Sequence, residues 1–365
     1  MQMGRYAKII DNIDWGLLLS TMCILVIGLL CLYSATRVAT TILFWKQLIW
    51  IGIGLLVMLM AFFVDYRFLL PLTWPIYLAV LLLLVIVFFL RPEISGARRW
   101  LSLGPIGVQP SELAKIMTVI LVAYWGEQKK HILNFGLREL IQPLVILSIP
   151  VLLVLIEPDL GTAGIITLIA VSMLVLLGIK RSTLLSAGAF LVIALPFGWL
   201  SLKGYQRLRI LSFLDPSRDP LGSGYHAMQS KIAVGSGSLI GKGFLDGTQT
   251  QLRFLPEHHT DFIFSVVAEE WGFVGSLVLI VLFMLLITKI FSIGLKAKDR
   301  FGTLLCFGIA IYFSLHVFIN IAMAIGIFPV VGVPLPFISY GGSFMLVNLF
   351  CIGLVLNISW RRFIF

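Results

Sequence analysis

The sequence predicts an all-α, polytopic membrane protein, built as one domain over residues 1–365. Hydrophobic residues make up 59% of the chain and charged residues only 12%, whereas a soluble domain is about one quarter charged. The mean hydropathy is +1.04. The apolar residues are gathered into runs long enough to cross a bilayer as helices. Together these observations exclude a soluble globular protein.

Ten transmembrane spans are predicted from the apolar runs. Their limits are 15–34, 44–64, 68–90, 109–125, 141–156, 160–178, 183–201, 262–290, 303–325 and 338–359. Proline and glycine interrupt several runs, which is compatible with a span because neighbouring helices can satisfy the freed backbone groups. The cysteines fall inside spans and are expected to be buried apolar side chains, not disulfides or metal ligands. They are Cys23, Cys31, Cys306 and Cys351.

The distribution of basic residues predicts that both termini are cytoplasmic. With the N-terminus inside, the short inner loops and helix ends carry Arg5, Lys8, Arg67, Lys129, Lys130, Arg138, Lys180, Arg181, Lys289, Lys296, Lys298, Arg300, Arg361 and Arg362. These are the positions to which the positive-inside rule applies. An even number of spans then returns the C-terminus to the same side.

The remaining basic residues fall on or near the outer face, where they are normally scarce. They are Arg37, Lys46, Arg91, Arg98, Arg99, Lys115, Lys203, Arg207, Arg209, Arg218, Lys231, Lys242 and Arg253. Most lie in the segments 91–115 and 202–261. Long translocated loops escape the charge rule, which is one explanation. The other is an outward-facing site for an anion, because Arg and Lys bind phosphate oxygens through charge-assisted hydrogen bonds.

The start of the fourth span carries an expected ion pair. Pro110 and Ser111 have the pattern of a helix start. Glu112 and Lys115 are three residues apart, so they share one helical face and can pair. The pair is either structural or part of a polar pocket that is reached from outside. A serine nucleophile is not predicted, because Ser111 and Lys115 lack the spacing of an acylating Ser-x-x-Lys pair.

Two carboxylates, Glu157 and Asp159, lie in the short connection between the fifth and sixth spans. Asp159 is predicted to cap the helix that follows, because Asp is a favoured N-cap residue. The alternative is a divalent cation site, since magnesium-type ions prefer carboxylate oxygens.

The segment 202–261 is predicted to form a large extracytoplasmic loop. The stretch before Lys242 resembles a phosphate-binding P-loop, but Ser236 replaces a required glycine and Gly243 replaces the Ser or Thr that holds magnesium. A nucleotide site is therefore not expected. Glycines that allow close backbone approach, near Lys231 and Lys242, suit the phosphorylated head group of a lipid.

A polar cluster ends this loop, directly before the eighth span. A carboxylate at a membrane boundary is energetically expensive, so Asp261 is predicted to be functional. Glu257 lies four residues earlier and would share the face of Asp261 if the helix extends that far. His258 and His259 are adjacent and lack the spacing of metal-binding helices, so a zinc site is not predicted.

Several motifs are long enough to identify a family. They occupy 213–216, 224–226, 229–230, 241–243, 247–249, 255–264 and 329–343. On these motifs the chain resembles the SEDS family of polytopic bacterial membrane proteins, and the RodA branch more than the FtsW division branch. The resemblance covers essentially the whole chain. The Pro- and Gly-rich run 326–343 is predicted to form irregular backbone that lines the same outer cavity as Asp261.

The resemblance implies a peptidoglycan glycosyltransferase, which polymerises lipid II at the outer face of the bacterial cytoplasmic (inner) membrane for cell elongation and cell shape. The growing glycan is carried on undecaprenyl diphosphate, which leaves, and the acceptor is the 4-hydroxyl of N-acetylglucosamine. Asp261 stands at the motif position of the family's essential carboxylate and is the predicted catalytic residue. The predicted substrate-binding residues are Arg98, Arg99, Glu112, Lys115, Arg207, Gln229, Lys231, Lys242, Glu257, His259 and Thr260.

The chemistry of these residue types agrees with that activity. A sugar hydroxyl is a poor nucleophile, so a carboxylate within hydrogen-bond reach should take its proton during attack. Outer Arg and Lys side chains can neutralise the charge that develops on the departing diphosphate. No metal-ligating residues are predicted, and a divalent cation, Mg or Mn, is left open as a cofactor.

The resemblance also implies partners. A RodA-like protein is expected to work with a class B penicillin-binding protein, which is a transpeptidase, and with other membrane proteins of the elongation machinery. Nucleic acid is not an expected partner. Two alternatives stay open: a lipid II flippase or other transporter, and a non-catalytic scaffold. A transporter should need ionisable residues near the membrane mid-plane, whereas those of this chain crowd the outer face.

Overall fold

The computed structural model describes residues 13–37, 41–90, 101–103, 106–132, 134–219, 222–252, 254 and 259–362. The helices are α1 (Trp15–Thr36), α2 (Ile42–Phe63), α3 (Leu69–Leu90), α4 (Pro110–Gln128), α5 (Leu137–Ile156), α6 (Leu160–Leu176), α7 (Arg181–Ser201), α8 (Gly204–Leu214), α9 (Ser223–Ser236), α10 (Thr248–Gln251), α11 (Ile263–Leu295), α12 (Arg300–Ala324) and α13 (Gly342–Arg361). Short 3-10 turns occupy Tyr66–Phe68 and Pro216–Arg218. One antiparallel hairpin pairs β1 (Leu101–Leu103) with β2 (Ile106–Val108).

Eight helices in the described part of the chain are long and apolar enough to cross a membrane: α1, α2, α3, α5, α7, α11, α12 and α13. The other two predicted spans are also helical. Charged residues make α4 more polar, and α6 has only 17 residues. The helical class and the multi-pass membrane character are therefore confirmed, whereas the count of ten spans stays a prediction. The predicted helix start at Pro110 is confirmed as well.

Ion pairs join helix ends that the predicted topology places on one side of the membrane. The pairs are Lys289 with Asp14 at 3.6 Å, Arg67 with Asp299 at 3.1 Å and Arg361 with Asp65 at 3.0 Å. They gather the beginnings of α1 and α12 and the ends of α2, α11 and α13 at one face. Because successive spans alternate in direction, these particular helix ends are expected on the same side of the membrane. Which side of the membrane this face occupies stays a prediction.

The centre of the bundle is formed by α12 and α13. Helix α2 lies along α13, α11 lies along α1 and α12, and α4 packs against α3, α6 and α12. Most of α13 is buried, whereas α7 is almost wholly exposed. Polar side chains are nevertheless buried in this core: Glu112, Lys115, His316, Asn320 and Asn348. A buried polar group is costly unless it is hydrogen-bonded. The hydrogen-bond partners of these five side chains therefore show which segments they hold in place.

The eighth predicted span is broken at Gly272. Its backbone has φ 67° and ψ −160°, which separates residues 263–271 from residues 273–295. The glycine-rich turn 237–243 packs on the break through backbone hydrogen bonds: Phe273 N to Ser238 O at 2.9 Å, Val274 N to Leu239 O at 3.1 Å, Lys242 N to Glu269 O at 3.0 Å and Gly243 N to Glu270 O at 3.1 Å. These bonds give partners to backbone N–H and C=O groups that the break leaves without a helical partner, as non-helical backbone at a membrane requires. The P-loop-like glycines therefore contact a helix backbone.

The predicted loop 202–261 contains helices of its own, α8, α9 and α10. Helix α9 is anchored beside α11 through Ser230. Its hydroxyl lies 2.7 Å from the hydroxyl of Ser265 and donates to the carbonyl of Ala324 at 2.7 Å. Since Ser230 is fully buried, α9 is a fixed layer on the ends of α11 and α12.

The predicted helix cap at Asp159 is confirmed. Its Oδ1 accepts from the amide of Thr162 at 3.1 Å, and its Oδ2 accepts from the Thr162 hydroxyl at 3.0 Å. Both carboxylate oxygens thus stabilise the first turn of α6.

Candidate functional site

Three consecutive carbonyl groups fix the chain just before α11. The His259 carbonyl accepts from the Tyr340 amide at 2.9 Å, that of Thr260 from the Ser339 hydroxyl at 2.6 Å, and that of Asp261 from Asn320 Nδ2 at 2.8 Å. All three donors belong to α12 or to the segment that follows it. The backbone of Asp261 is therefore positioned by tertiary contacts, and its side chain is half-buried.

The segment 331–340 passes beside the Asp261 carboxylate. Gly332 has φ 73°, and a Cβ there would lie 3.3 Å from Asp261 Oδ2. The segment is itself fastened by Gln47 of α2, which donates to the carbonyl of Ser339 at 3.4 Å and accepts from the amide of Gly341 at 3.2 Å. These contacts agree with the prediction that the Pro- and Gly-rich run borders the site of Asp261.

Helix α9, which carries Gln229 and Lys231, lies beside this turn. The ring of His226, one turn earlier on α9, lies 6.4 Å from the ring of Phe262. Gln229 is half-buried and Lys231 is exposed. The Lys231 side chain lies against Gly326, close enough that a Cβ on that glycine would collide with it. An exposed ammonium at this position is suited to an anionic substrate.

The predicted ion pair between Glu112 and Lys115 is confirmed. Lys115 Nζ lies 2.9 Å from Oε1 and 2.8 Å from Oε2 of Glu112, and the two side chains are only 1% and 4% exposed. Lys115 Nζ also lies 3.1 Å from His316 Nε2, and His316 Nδ1 lies 3.1 Å from the Pro334 carbonyl. Because a carbonyl only accepts, Nδ1 donates to it and Nε2 accepts from Lys115. The pair thus reaches the segment 331–340 through His316.

Lys242 has a partner within the protein. Its Nζ lies 2.8 Å from Oε1 of Glu269, which is completely buried. The same carboxylate accepts from the amides of Gln249 at 2.9 Å and Thr250 at 3.3 Å, at the first turn of α10. Glu269 is therefore a structural centre for residues 242–250. It lies ~9 Å along the helix from Ile263, given 1.5 Å of rise per residue, so Lys242 is engaged away from Asp261.

Other predicted outer cations also contact the protein. Arg207 Nη2 donates to the carbonyl of Leu200 at 2.5 Å. Arg218 Nε lies 3.2 Å from Asp215 Oδ2, and hydrogen bonds from Ser217 and Arg218 lower the pKa of the Asp215 carboxyl. The predicted outer basic residues that the structure describes thus include both residues with protein partners and exposed groups such as Lys231.

Three predicted binding residues, Arg98, Arg99 and Glu257, lie outside the described residues. Helix α11 begins at Ile263 and does not extend back to Asp261, so the condition for a shared helical face is not met at Asp261. Asp261 lies in a turn held by the contacts described above, where helical spacing does not apply.

No group of three or more His, Cys, Asp or Glu residues that could hold a metal ion occurs in the described ranges. A divalent cation at Asp261 would therefore need further oxygen ligands, beyond the side chains of the described residues. Magnesium commonly binds in this way, through one or two carboxylates together with substrate phosphates and water.

The sequence interpretation missed His316, Asn320 and Ser339. A signal was present for the first two, because His316 and Asn320 are polar residues four apart within an apolar span. Polar residues inside a span commonly face the bundle interior and mark function. Ser339 lies in the predicted wall segment 326–343, but nothing in the sequence pairs it with Thr260.

The comparisons with known proteins agree with this picture. The family model FtsW/RodA/SpoVE, described as "Cell cycle protein", matches residues 14–363. Peptidoglycan glycosyltransferase MrdB of Escherichia coli (strain K12) is 40% identical over 355 residues, which cover 96% of this chain and 94% of the relative. Probable peptidoglycan glycosyltransferase FtsW of Geobacter sulfurreducens (strain DL-1 / KN400) is 36% identical over 377 residues, with 99% of each chain covered.

Solved structures share the fold. A chain from the structure described as "Structural coordination of polymerization and crosslinking by a peptidoglycan synthase complex" matches with a TM-score of 0.82 and 33% identity, covering 96% of this chain and 98% of that chain. The crystal structure of the Thermus thermophilus rod shape determining protein RodA matches with a TM-score of 0.72 and 31% identity, with the same coverage of 96% and 98%.

Proposed function

The chain belongs to the FtsW/RodA/SpoVE family of cell cycle proteins, and we propose that Asp261 is the catalytic residue of its reaction. The protein is a peptidoglycan glycosyltransferase similar to RodA, in agreement with the activity named for its relatives. Its reaction builds glycan strands of peptidoglycan for cell elongation. The observation that carries the catalytic proposal is the turn 259–261, in which tertiary hydrogen bonds hold three carbonyls and the Asp261 carboxylate is half-buried.

The proposed step transfers a growing glycan from undecaprenyl diphosphate to lipid II. The 4-hydroxyl of the N-acetylglucosamine of lipid II attacks the anomeric carbon of the glycan, and the bond from that carbon to the diphosphate oxygen breaks. Asp261 takes the hydroxyl proton, because a carboxylate in hydrogen-bond reach raises the nucleophilicity of the hydroxyl. Undecaprenyl diphosphate leaves with the bonding electrons. A negative carboxylate also favours the oxocarbenium-like transition state.

The diphosphate needs positive charge as it leaves, and Lys231 supplies it in this proposal. Lys231 is exposed on α9, where its side chain lies against Gly326 at the start of the Pro- and Gly-rich run, and fixed cations stabilise charge that develops in a transition state. Gln229, His259 and Thr260 are proposed contacts for the sugars. Arg98 and Arg99 remain predicted ligands, whereas the contacts of Lys115, Lys242 and Arg207 support a structural role for each.

A divalent cation, Mg or Mn, is proposed to bind only together with the substrate. Asp261 is one carboxylate, and diphosphate oxygens would complete the ligand set of such an ion. The cation would neutralise the same leaving group for which Lys231 is the proposed counter-charge.

The site is proposed to face outward from the bacterial inner membrane, on the side opposite the ion-paired helix ends. A crosslinking transpeptidase of the class B penicillin-binding type is the proposed partner. This proposal rests on the likeness to a chain of a peptidoglycan synthase complex that coordinates polymerisation and crosslinking.

The test is polymerisation of labelled lipid II by the purified protein, read as glycan strands on a gel. Asp261→Asn keeps the shape of the side chain but not its basicity, so we expect the rate to fall at least ~100-fold, the scale of general base catalysis. The control is Asp246→Asn, an exposed aspartate of the same outer segment, which should retain the wild-type rate. Each assay is repeated in EDTA, where loss of polymer is expected if a cation accompanies the diphosphate.

Two results would contradict the proposal. Polymerisation by Asp261→Asn at the wild-type rate would exclude Asp261 as the base. Wild-type protein that moves lipid II across vesicles but makes no polymer would support the transporter alternative. Binding of lipid II by Asp261→Asn shows that the variant is folded.

A further inference from the structure

A stripe of polar side chains runs along one face of the apolar helix α12. Tyr312, His316 and Asn320 follow one another at intervals of four residues, so they lie above one another on the helix. All three are completely buried. Nothing in the peptidoglycan reaction described above uses them directly, yet burial of polar groups is costly unless their hydrogen bonds are made.

The stripe leads from the core to Asp261. Tyr312 donates to Asn348 Oδ1 of α13 at 2.7 Å. His316 contacts Lys115 of α4 and donates to the carbonyl of Pro334. Each bond fastens a different helix or segment to α12, and the last residue of the stripe, Asn320, lies at the candidate active site.

Asn320 uses both hydrogens of its amide. Nδ2 lies 2.8 Å from the carbonyl oxygen of Asp261 and 2.7 Å from that of Val333. Its Oδ1 is buried without a hydrogen-bond partner among the described residues. Rotating the amide would place Oδ1 against two carbonyl oxygens, so the two acceptors determine its orientation. Asn320 therefore acts as a hydrogen-bond donor, and its two bonds join the backbone of Asp261 to the segment 331–340.

We propose that His316 and Asn320 are positioning residues for the glycosyl transfer: together they hold the carbonyls of Pro334, Val333 and Asp261 on α12. This inference rests on the proposed role of Asp261 as the base. A base acts only when its carboxylate meets the acceptor hydroxyl in the correct geometry, and a displacement of about 1 Å can cost about 100-fold in rate. Loss of the clamp should lower kcat, while the contacts that bind lipid II remain.

The chain offers a matched control in Asn348. Asn348 is as buried as Asn320, but it uses only its Oδ1, and its Nδ2 has no hydrogen-bond partner among the described residues. The change Asn348→Asp therefore keeps the acceptor for Tyr312. The change Asn320→Asp buries the same carboxylate but removes both donated bonds and places oxygen against oxygen.

The experiment compares kcat and KM for lipid II, together with the melting temperature, in these two variants and in wild type. We expect Asn320→Asp to lower kcat 10- to 100-fold with KM unchanged within about threefold, as a loss of geometry predicts. Asn348→Asp should keep kcat within about threefold of wild type. Asn320→Leu and Asn348→Leu, which carry no charge, repeat the comparison in case the buried carboxylate prevents folding.

The inference is overturned if folded Asn320 and Asn348 variants have the same kcat, or if the Asn320 variants change only KM and melting temperature. Asp261→Asn in the same assay separates this failure from that of the proposed function. If Asp261→Asn is inactive and the Asn320 variants are normal, only the positioning role is wrong. If Asp261→Asn polymerises lipid II normally, Asp261 is not the base, and the positioning role of His316 and Asn320 is then wrong as well.

Discussion

At the scale of single residues, the ion pair of Glu112 and Lys115 is informative because it is so thoroughly buried. The pair was expected either to be structural or to line a pocket that is open to the outside. Exposures of 1% and 4% and a contact to His316 favour the structural role. The desolvation cost of two buried charges is offset only while both are present.

The change Lys115→Met tests this role, because it leaves Glu112 as a buried charge without its cation. We expect the free energy of unfolding to fall by about 3–5 kcal/mol, the usual effect of breaking a buried pair. The double change Glu112→Leu and Lys115→Met should restore most of the lost free energy of unfolding. The measurement is thermal or denaturant unfolding in detergent. Normal stability of Lys115→Met with a raised KM for lipid II would instead assign the ammonium to the substrate.

At the scale of elements, α11 consists of two helices that meet at Gly272. The first, residues 263–271, begins beside Asp261 and carries Glu269 and Glu270 in its last turn, and the second is the apolar span. The break lets the turn 237–243 insert its backbone groups between them. Gly272 is required because its φ of 67° is unfavourable for other residues, and a Cβ would lie 2.3 Å from the backbone nitrogen of Gly241.

The change Gly272→Ala should therefore destabilise the protein by at least about 1–3 kcal/mol, the typical cost of overpacking. Limited proteolysis should then cut within residues 238–252, since their docking surface is displaced. The control is Gly164→Ala in α6, where no atom lies within 4 Å of the added Cβ. That change should be neutral or stabilising, as for Ala in other helices. Equal melting temperatures for the two variants would show that the break tolerates a side chain.

At the scale of the whole molecule, opposite ends of the bundle have different chemistry. One end carries the ion pairs of Asp14, Asp65 and Asp299. Asp261, α9 and the segment 331–340 form a site that is built from parts of the chain far apart in sequence. The positive-inside rule predicts that the ion-paired end lies in the cytoplasm and the Asp261 end outside.

Cysteine labelling tests this orientation. In a Cys23→Ser background the remaining native cysteines are buried, and two exposed positions, Leu252 and Lys296, report the two ends. A membrane-impermeant maleimide should label Leu252→Cys in right-side-out vesicles and Lys296→Cys only in inside-out vesicles. The reverse pattern would place Asp261 in the cytoplasm and remove its access to an outward-facing substrate.

The amino-acid sequence by itself determined the membrane class, the approximate positions of the apolar helices, the cap at Asp159, the pairing of Glu112 with Lys115 and the family. These features depend on local properties: hydropathy over about 20 residues, spacing of three or four on one helix, and contiguous motifs. The motif around Asp261 is of this kind, which is why the candidate base was found before the structure.

Only the tertiary structure decided what surrounds Asp261 and which cations are engaged elsewhere. Asn320 and Asp261 are 59 residues apart, and Lys115 and His316 are 201 apart. Such pairings follow from which helix faces pack together, and apolar faces look alike to lipid and to a neighbouring helix. The engagement of Lys242 by Glu269 has the same origin, because the break at Gly272 brings the turn 237–243 onto α11.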